Sequence, residues 1–169
     1  NHSIIDLAAE PNRLAAEGWH YNIDADHDFG QVVINEILAA NRDGLKDDDG
    51  EAGDWIELRN NGCSTVNLAG WSLRDDAPQP GKWVFPDVVL EAKSYVILFA
   101  SGKDRSPVDG GNLHTNFKLS RDGEALILSD AAGQVMSSFV PTFPEQFSDV
   151  SYGIPFGEEV FAYLSAPSP

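Results

Sequence analysis

The 169 residues, 18.4 kDa, are enough for one domain with its own core and a short appendage. Twenty-seven acids against eleven bases give a formal charge of −16 and a pI near 4.3, a surface that repels phosphate backbones and excludes non-specific nucleic-acid binding. No apolar run approaches the ~18 residues of a membrane helix, and the single cysteine, Cys63, can close no intrachain disulfide and belongs to no CxxC metal motif.

The chain does not open on Met and carries no signal-peptide pattern, so it is read as a piece of a longer protein. Residues 1–30 form an N-terminal extension, or the end of an upstream segment. It repeats Leu7-Ala-Ala-Glu10 as Leu14-Ala-Ala-Glu17, with Pro11 suited to a first turn and Gly18 to a stop. This composition predicts a short helix that docks on the main body and covers an edge strand.

From residue 32 the hydrophobic period becomes two. Val32–Leu38 is rich in β-formers, and Trp55–Arg59 alternates, with Ile56 and Leu58 on one face and Glu57 and Arg59 outward on the other. Outward Glu57 and Arg59 are expected to make cross-strand ion pairs. Further strands are predicted at 66–68, 71–74, 82–85, 95–99, 116–119, 125–128 and 134–140. Turn signals separate them: Asn61-Gly62, Ala69-Gly70, Pro80-Gly81, Asp109-Gly110-Gly111, Asp122-Gly123 and Ala132-Gly133. Short strands at such spacing, with no helical segment between them, predict an antiparallel sandwich or barrel. Gly70-Trp71 reads as a tight turn that delivers an indole between two sheets.

Several stretches in fixed order resemble one family. They are Val33–Ile37, Asp54–Asn60, Val66–Leu73, Trp83–Pro86, Leu90–Leu98, Phe99–Gly102, Leu113–Leu119, Gly123–Leu128, Ser151–Gly153 and the ending Tyr163–Pro169. Together they resemble the lamin tail domain, in the branch found in secreted bacterial proteins. The resemblance covers about residues 31–169. It implies an all-β, immunoglobulin-like antiparallel β-sandwich, and a place in a modular extracellular or cell-surface protein beside hydrolase or anchoring domains.

Three patterns invite chemistry. Asp24, Asp26 and Asp28 alternate ahead of Gly30 and offer oxygen ligands to calcium. They miss the EF-hand spacing, with glycine at the seventh position and Asn35 at the twelfth, so a solvated acidic linker competes with an ion site. Asp47, Asp48 and Asp49 lie in an acidic loop between the first two strands, where a divalent ion would relieve their mutual repulsion. Here too a solvated loop is the plainer reading. Trp55 falls opposite Ile56 and Leu58, so an exposed indole there would offer a stacking face for sugars.

Other candidates are weaker. Asp75-Asp76 reads as a turn, and nothing fixes His20, Asp24 and His27 in zinc geometry. His114 is expected in a loop or at a strand edge. Ser101 lies outside any GxSxG elbow, and Gly102-Lys103 lacks the upstream glycine of a P-loop.

The expected function is therefore non-catalytic: an interaction, scaffold or adhesion module, monomeric by itself, without nucleic-acid binding or membrane insertion. Its partner would be a protein or a cell-surface polysaccharide. The alternatives are a calcium-stabilised carbohydrate- or surface-binding module and an accessory domain of a secreted hydrolase.

Overall fold

The computed structural model describes residues 31–76, 81–107 and 110–165; the expected N-terminal helix lies outside the described residues. Twelve strands follow in chain order: β1 (Val32–Leu38), β2 (Trp55–Asn60), β3 (Val66–Asn67), β4 (Ser72–Arg74), β5 (Trp83–Val84), β6 (Val89–Leu90), β7 (Tyr95–Phe99), β8 (Leu113–His114), β9 (Leu126–Ser129), β10 (Val135–Phe139), β11 (Ser151–Gly153) and β12 (Ala162–Leu164). No helix occurs among the described residues. One sheet has the order β12-β11-β1-β2-β7-β8, a second β10-β9-β4-β5, and β3 pairs with β6 in a small ribbon. This is an immunoglobulin-like β-sandwich.

The core lies between the two large sheets. Ile34, Ile37, Ile56, Leu58 and Leu98 face Leu73, Trp83, Leu126 and Leu128, all buried in one cluster. Each such side chain contributes roughly 1.5–3 kcal/mol by leaving water. Ile34 and Ile37 are three residues apart, which a regular strand would send to opposite faces. A β-bulge reconciles them: Ile34 pairs with Leu58 but Glu36 pairs with Glu57, so Asn35 is the extra residue. Gly70 adopts φ 78°, the turn expected ahead of Trp71, and Trp71 and Trp83 are buried as predicted.

Asn60 shows how the small ribbon is held. It is fully buried, and its Nδ2 donates to the carbonyls of Ser64 (2.8 Å) and Leu90 (3.1 Å), while its Oδ1 accepts from the Gly62 amide (2.9 Å). One side chain thus closes the Asn61-Gly62 turn and ties it to β6.

The structure corrects the sequence reading in five places. Glu57 does not point into solvent; it is 7% exposed, with Oε1 accepting from Asn35 Nδ2 at 2.7 Å. The outer face of the six-stranded sheet is itself buried here, where Leu38, Trp55 and Phe99 form a second apolar cluster. Trp55 is 1% exposed, so it offers no stacking platform. Among the described residues Arg59 makes no cross-strand ion pair; it lies over the Tyr95 ring, 5.4 Å from its centroid.

The remaining two corrections concern strands. The stretch 116–119 is no strand; it makes a single bridge, Ser101 with Lys118, and turns Phe117 and Leu119 into the core. In its place β8 runs parallel to β7, because the connection between them is long enough for the chain to return in the same direction. β11 and β12 lie in the stretch 141–169, whose five prolines break the pattern that predicts the other strands. β11 pairs antiparallel with β1 and β12 with β11, so the sheet continues to Leu164.

Candidate functional site

Antiparallel pairing of β2 with β7 sets Trp55 opposite Phe99. The acidic loop that leads into β2 therefore lies beside the loop that leaves β7. The second loop carries Lys103 and Arg105, and the charges meet there. The Lys103 ammonium contacts the Asp47 carboxylate, and lies 2.6 Å from Asp49 Oδ2 and 2.9 Å from Glu51 Oε2. Arg105 Nη1 is 2.7 Å from the same Asp49 oxygen.

Local bonds pre-form this clasp. The Asp47 Oδ1 atom accepts the amides of Asp49 (3.0 Å) and Glu51 (2.9 Å), folding the loop around its own carboxylate. Asn41 donates to the carbonyls of Leu45 (2.6 Å) and Gly53 (2.8 Å), and accepts the Gly44 amide (3.0 Å). Asp48 turns away, accepting the Asn112 amide at 2.6 Å.

The electrostatics follow. Burial pushes the Asp47 carboxyl up, but the Lys103 ammonium and the amides of Glu51 and Asp49 outweigh it and hold the group below the usual carboxylate range. Lys103 holds Asp49 low as well, against a smaller opposing effect of desolvation, with Arg105 assisting. In return Asp47 and Asp49 push the Lys103 ammonium up, so it stays charged.

The expected calcium ligands divide. Asp24, Asp26 and Asp28 lie outside the described residues, as do His20 and His27. Asp47 and Asp49 converge, joined by Glu51 rather than Asp48, with one oxygen from each within 4.8 Å of the others. Three carboxylates suit a hard cation by chemistry. The ammonium of Lys103 already stands among them, so calcium would have to displace it. Asp75 serves elsewhere, bonded to Lys82 at 2.6 Å.

Beside the clasp is a cleft of about 240 Å³ lined by Asp47, Glu51, Asp54, Ser101, Lys103 and Lys118, among others. Burial pushes the Asp54 carboxyl up. Ser101 Oγ lies 2.9 Å from His114 Nδ1, a pair that linear sequence does not reveal. His114 is 1% exposed, stacked on Phe99 in β8, and burial lowers its pKa. Among the described residues no carboxylate bonds the other ring nitrogen. The pair therefore lacks the orienting group of a catalytic triad, and its geometry ties β8 to the loop after β7.

A second feature lies at β11 and β12. The six-stranded sheet overhangs the four-stranded one at β11 and β12. The register puts Tyr152 and Tyr163 opposite each other, on the face that Ile37 turns toward the core. Phe139 of β10 closes the seam: its ring packs 6.1 Å from Tyr152 and 5.1 Å from Phe161. Beyond the seam the aromatics reach solvent. Phe147 and Tyr163, 5.2 Å apart, are 46% and 43% exposed, and Phe156 and Val160 of the β11–β12 loop are each 73% exposed. The sequence signal is Phe161-Ala162-Tyr163, an apolar alternation in a stretch, 141–169, that holds five of the ten prolines.

No curated protein matches the chain. The family model of the Lamin Tail Domain matches residues 25–142, well over half of it. The match ends before β11, although β11 and β12 complete the same sheet. The β-sandwich and the sequence match agree, and the chain belongs to the lamin tail domain family.

Proposed function

We propose that this domain is a non-catalytic interaction module of a larger bacterial protein, working outside the cell or at its surface. The observation that carries the reading is the aromatic surface at β12, an edge strand with no outer neighbour among the described residues, beside exposed rings. Monomeric proteins rarely leave such apolar surface without a use, and an edge strand is a template for another chain. Membership in an immunoglobulin-like family supports the module reading. The surface-protein context rests on the resemblance to secreted bacterial members. The strongly acidic charge suits an exposed, soluble surface.

Two measurements on the 169-residue chain test this. Saturable binding to bacterial envelope preparations, lost after protease treatment of the envelopes, is the expected result. Protease-resistant binding would shift the partner to a polysaccharide. Ester and peptide model substrates should show no turnover, and hydrolysis abolished by Ser101→Ala would contradict the reading. A calcium-stabilised surface-binding module keeps one supporting observation, the convergence of Asp47, Asp49 and Glu51, and a calcium titration tests it.

A further inference from the structure

The β12 edge has a definite charge as well as an apolar shelf. Residues 141–165 contain Glu145, Asp149, Glu158 and Glu159 and no lysine or arginine. Glu158 and Glu159 are exposed in the same loop as Phe156 and Val160, and exposed Glu145 has its carbonyl bonded by the Tyr163 hydroxyl at 2.7 Å. The β11–β12 side of the shelf is thus acidic, while on the far side Arg121 bonds the Gln146 carbonyl at 3.1 Å and Arg42 lies beside Asp149. On its outer side β12 has no neighbouring strand among the described residues, and Ala162 and Tyr163 are exposed.

We infer that the β12 edge binds an extended, basic segment of another protein, added as a further antiparallel or parallel strand. This rests on the module reading and names its surface and its partner. Main-chain bonds to β12 would supply register. Apolar side chains on one face of the segment would pack on Tyr163 and Phe147, since aromatic anchors dominate such interfaces. Lysines or arginines would meet Glu158 and Glu159 and speed the encounter. A second copy of the chain is a poor occupant, because each copy carries −16 and an equally acidic β11–β12 side.

The probe is a synthetic peptide alternating Lys with Val and Phe. Two controls are the same peptide with central prolines, and one with Glu for Lys. Affinity is read by fluorescence anisotropy and location by amide hydrogen exchange on the whole chain. The expected result is slowed exchange across 161–165, with both control peptides bound far more weakly. Phe156→Ser, and Glu158→Lys with Glu159→Lys, should each weaken binding roughly tenfold. These positions are exposed, so the fold should survive. Asp87→Lys, near the β3–β6 ribbon, should change nothing.

Protection elsewhere, or equal loss in the Asp87 variant, would overturn the assigned surface and leave the module reading standing on its envelope test. Absence of binding, or self-association through 161–165, would also overturn it. Loss of envelope binding together with turnover at Ser101 would instead sink the module reading itself.

Discussion

Lys103 and Asp49 stand 54 residues apart in sequence, yet the lysine Nζ lies 2.6 Å from the aspartate Oδ2. The contact closes one end of the sandwich, because it joins the loop before β2 to the loop after β7. The same ammonium reaches Asp47, whose side chain is only 1% exposed. A carboxylate so enclosed requires a cation beside it.

Lys103→Met should therefore lower the unfolding midpoint by several degrees at neutral pH, as three convergent carboxylates lose their shared counter-charge. Asp47 and Asp49 are held below the ordinary aspartate value of 3.8. Their contribution is present above that pH and is lost as pH falls through the lower folded values. Thermal melts of the variant and the parent should thus converge in strong acid. A constant gap at every pH would show that the lysine acts through packing of its stem alone.

Glu57 predicts the opposite slope. Burial pushes its carboxyl up from 4.5 to about 7, opposed by the Asn35 hydrogen bond and reinforced by Glu36 directly across the strand pair. The folded state then holds the proton more tightly than the unfolded one. Its contribution is full below pH 4.5 and is lost as pH rises through about 7. The full shift corresponds to at most about 3 kcal/mol. His114, held low by burial, runs the other way, losing stability as pH falls below its ordinary range. The two effects overlap, so the test is a difference: denaturant titrations of the parent should show a fall in stability between pH 5 and 7 that Glu57→Gln removes. An identical slope in both proteins would refute the assignment.

Gly153 predicts a steric cost. A Cβ there would stand 2.5 Å from Glu36 Cγ and 2.8 Å from the Asn35 carbonyl oxygen. The bulge in β1 leaves no slack on that side, and Gly153 pairs directly with Glu36. Gly153→Ala should cost about 1–3 kcal/mol in urea unfolding, by displacing β11 from β1. A neutral substitution would mean that β11 is loosely held.

The fold was legible because period-two patterning and turn residues mark most strands directly. The turns at Gly70, Gly123 and Gly133, and the buried indoles at 71 and 83, come out where local chemistry puts them. The failures share one cause. Whether an alternate face meets solvent depends on what packs over it, and a strand's own sequence does not say. Trp55 and Glu57 were therefore placed outside when the outer face is buried. The acidic loop was legible as a charge cluster, but its counter-ion was not. Lys103 becomes visible only once β2 and β7 are paired, since that pairing alone brings the two loops together. The aromatic overhang was hidden by its prolines, which read as an irregular tail.

Lys103 and Arg105 tie the acidic end together from within, leaving recognition to the β12 edge. This arrangement is tested most directly by thermal unfolding in excess EDTA and again in millimolar calcium at fixed ionic strength, for the parent chain and for Asp49→Asn. A ligand of the native state raises the midpoint by mass action. The account predicts no difference between the two conditions that depends on Asp49. A rise in calcium that Asp49→Asn abolishes would contradict it, and would make the loop an ion site that Lys103 yields.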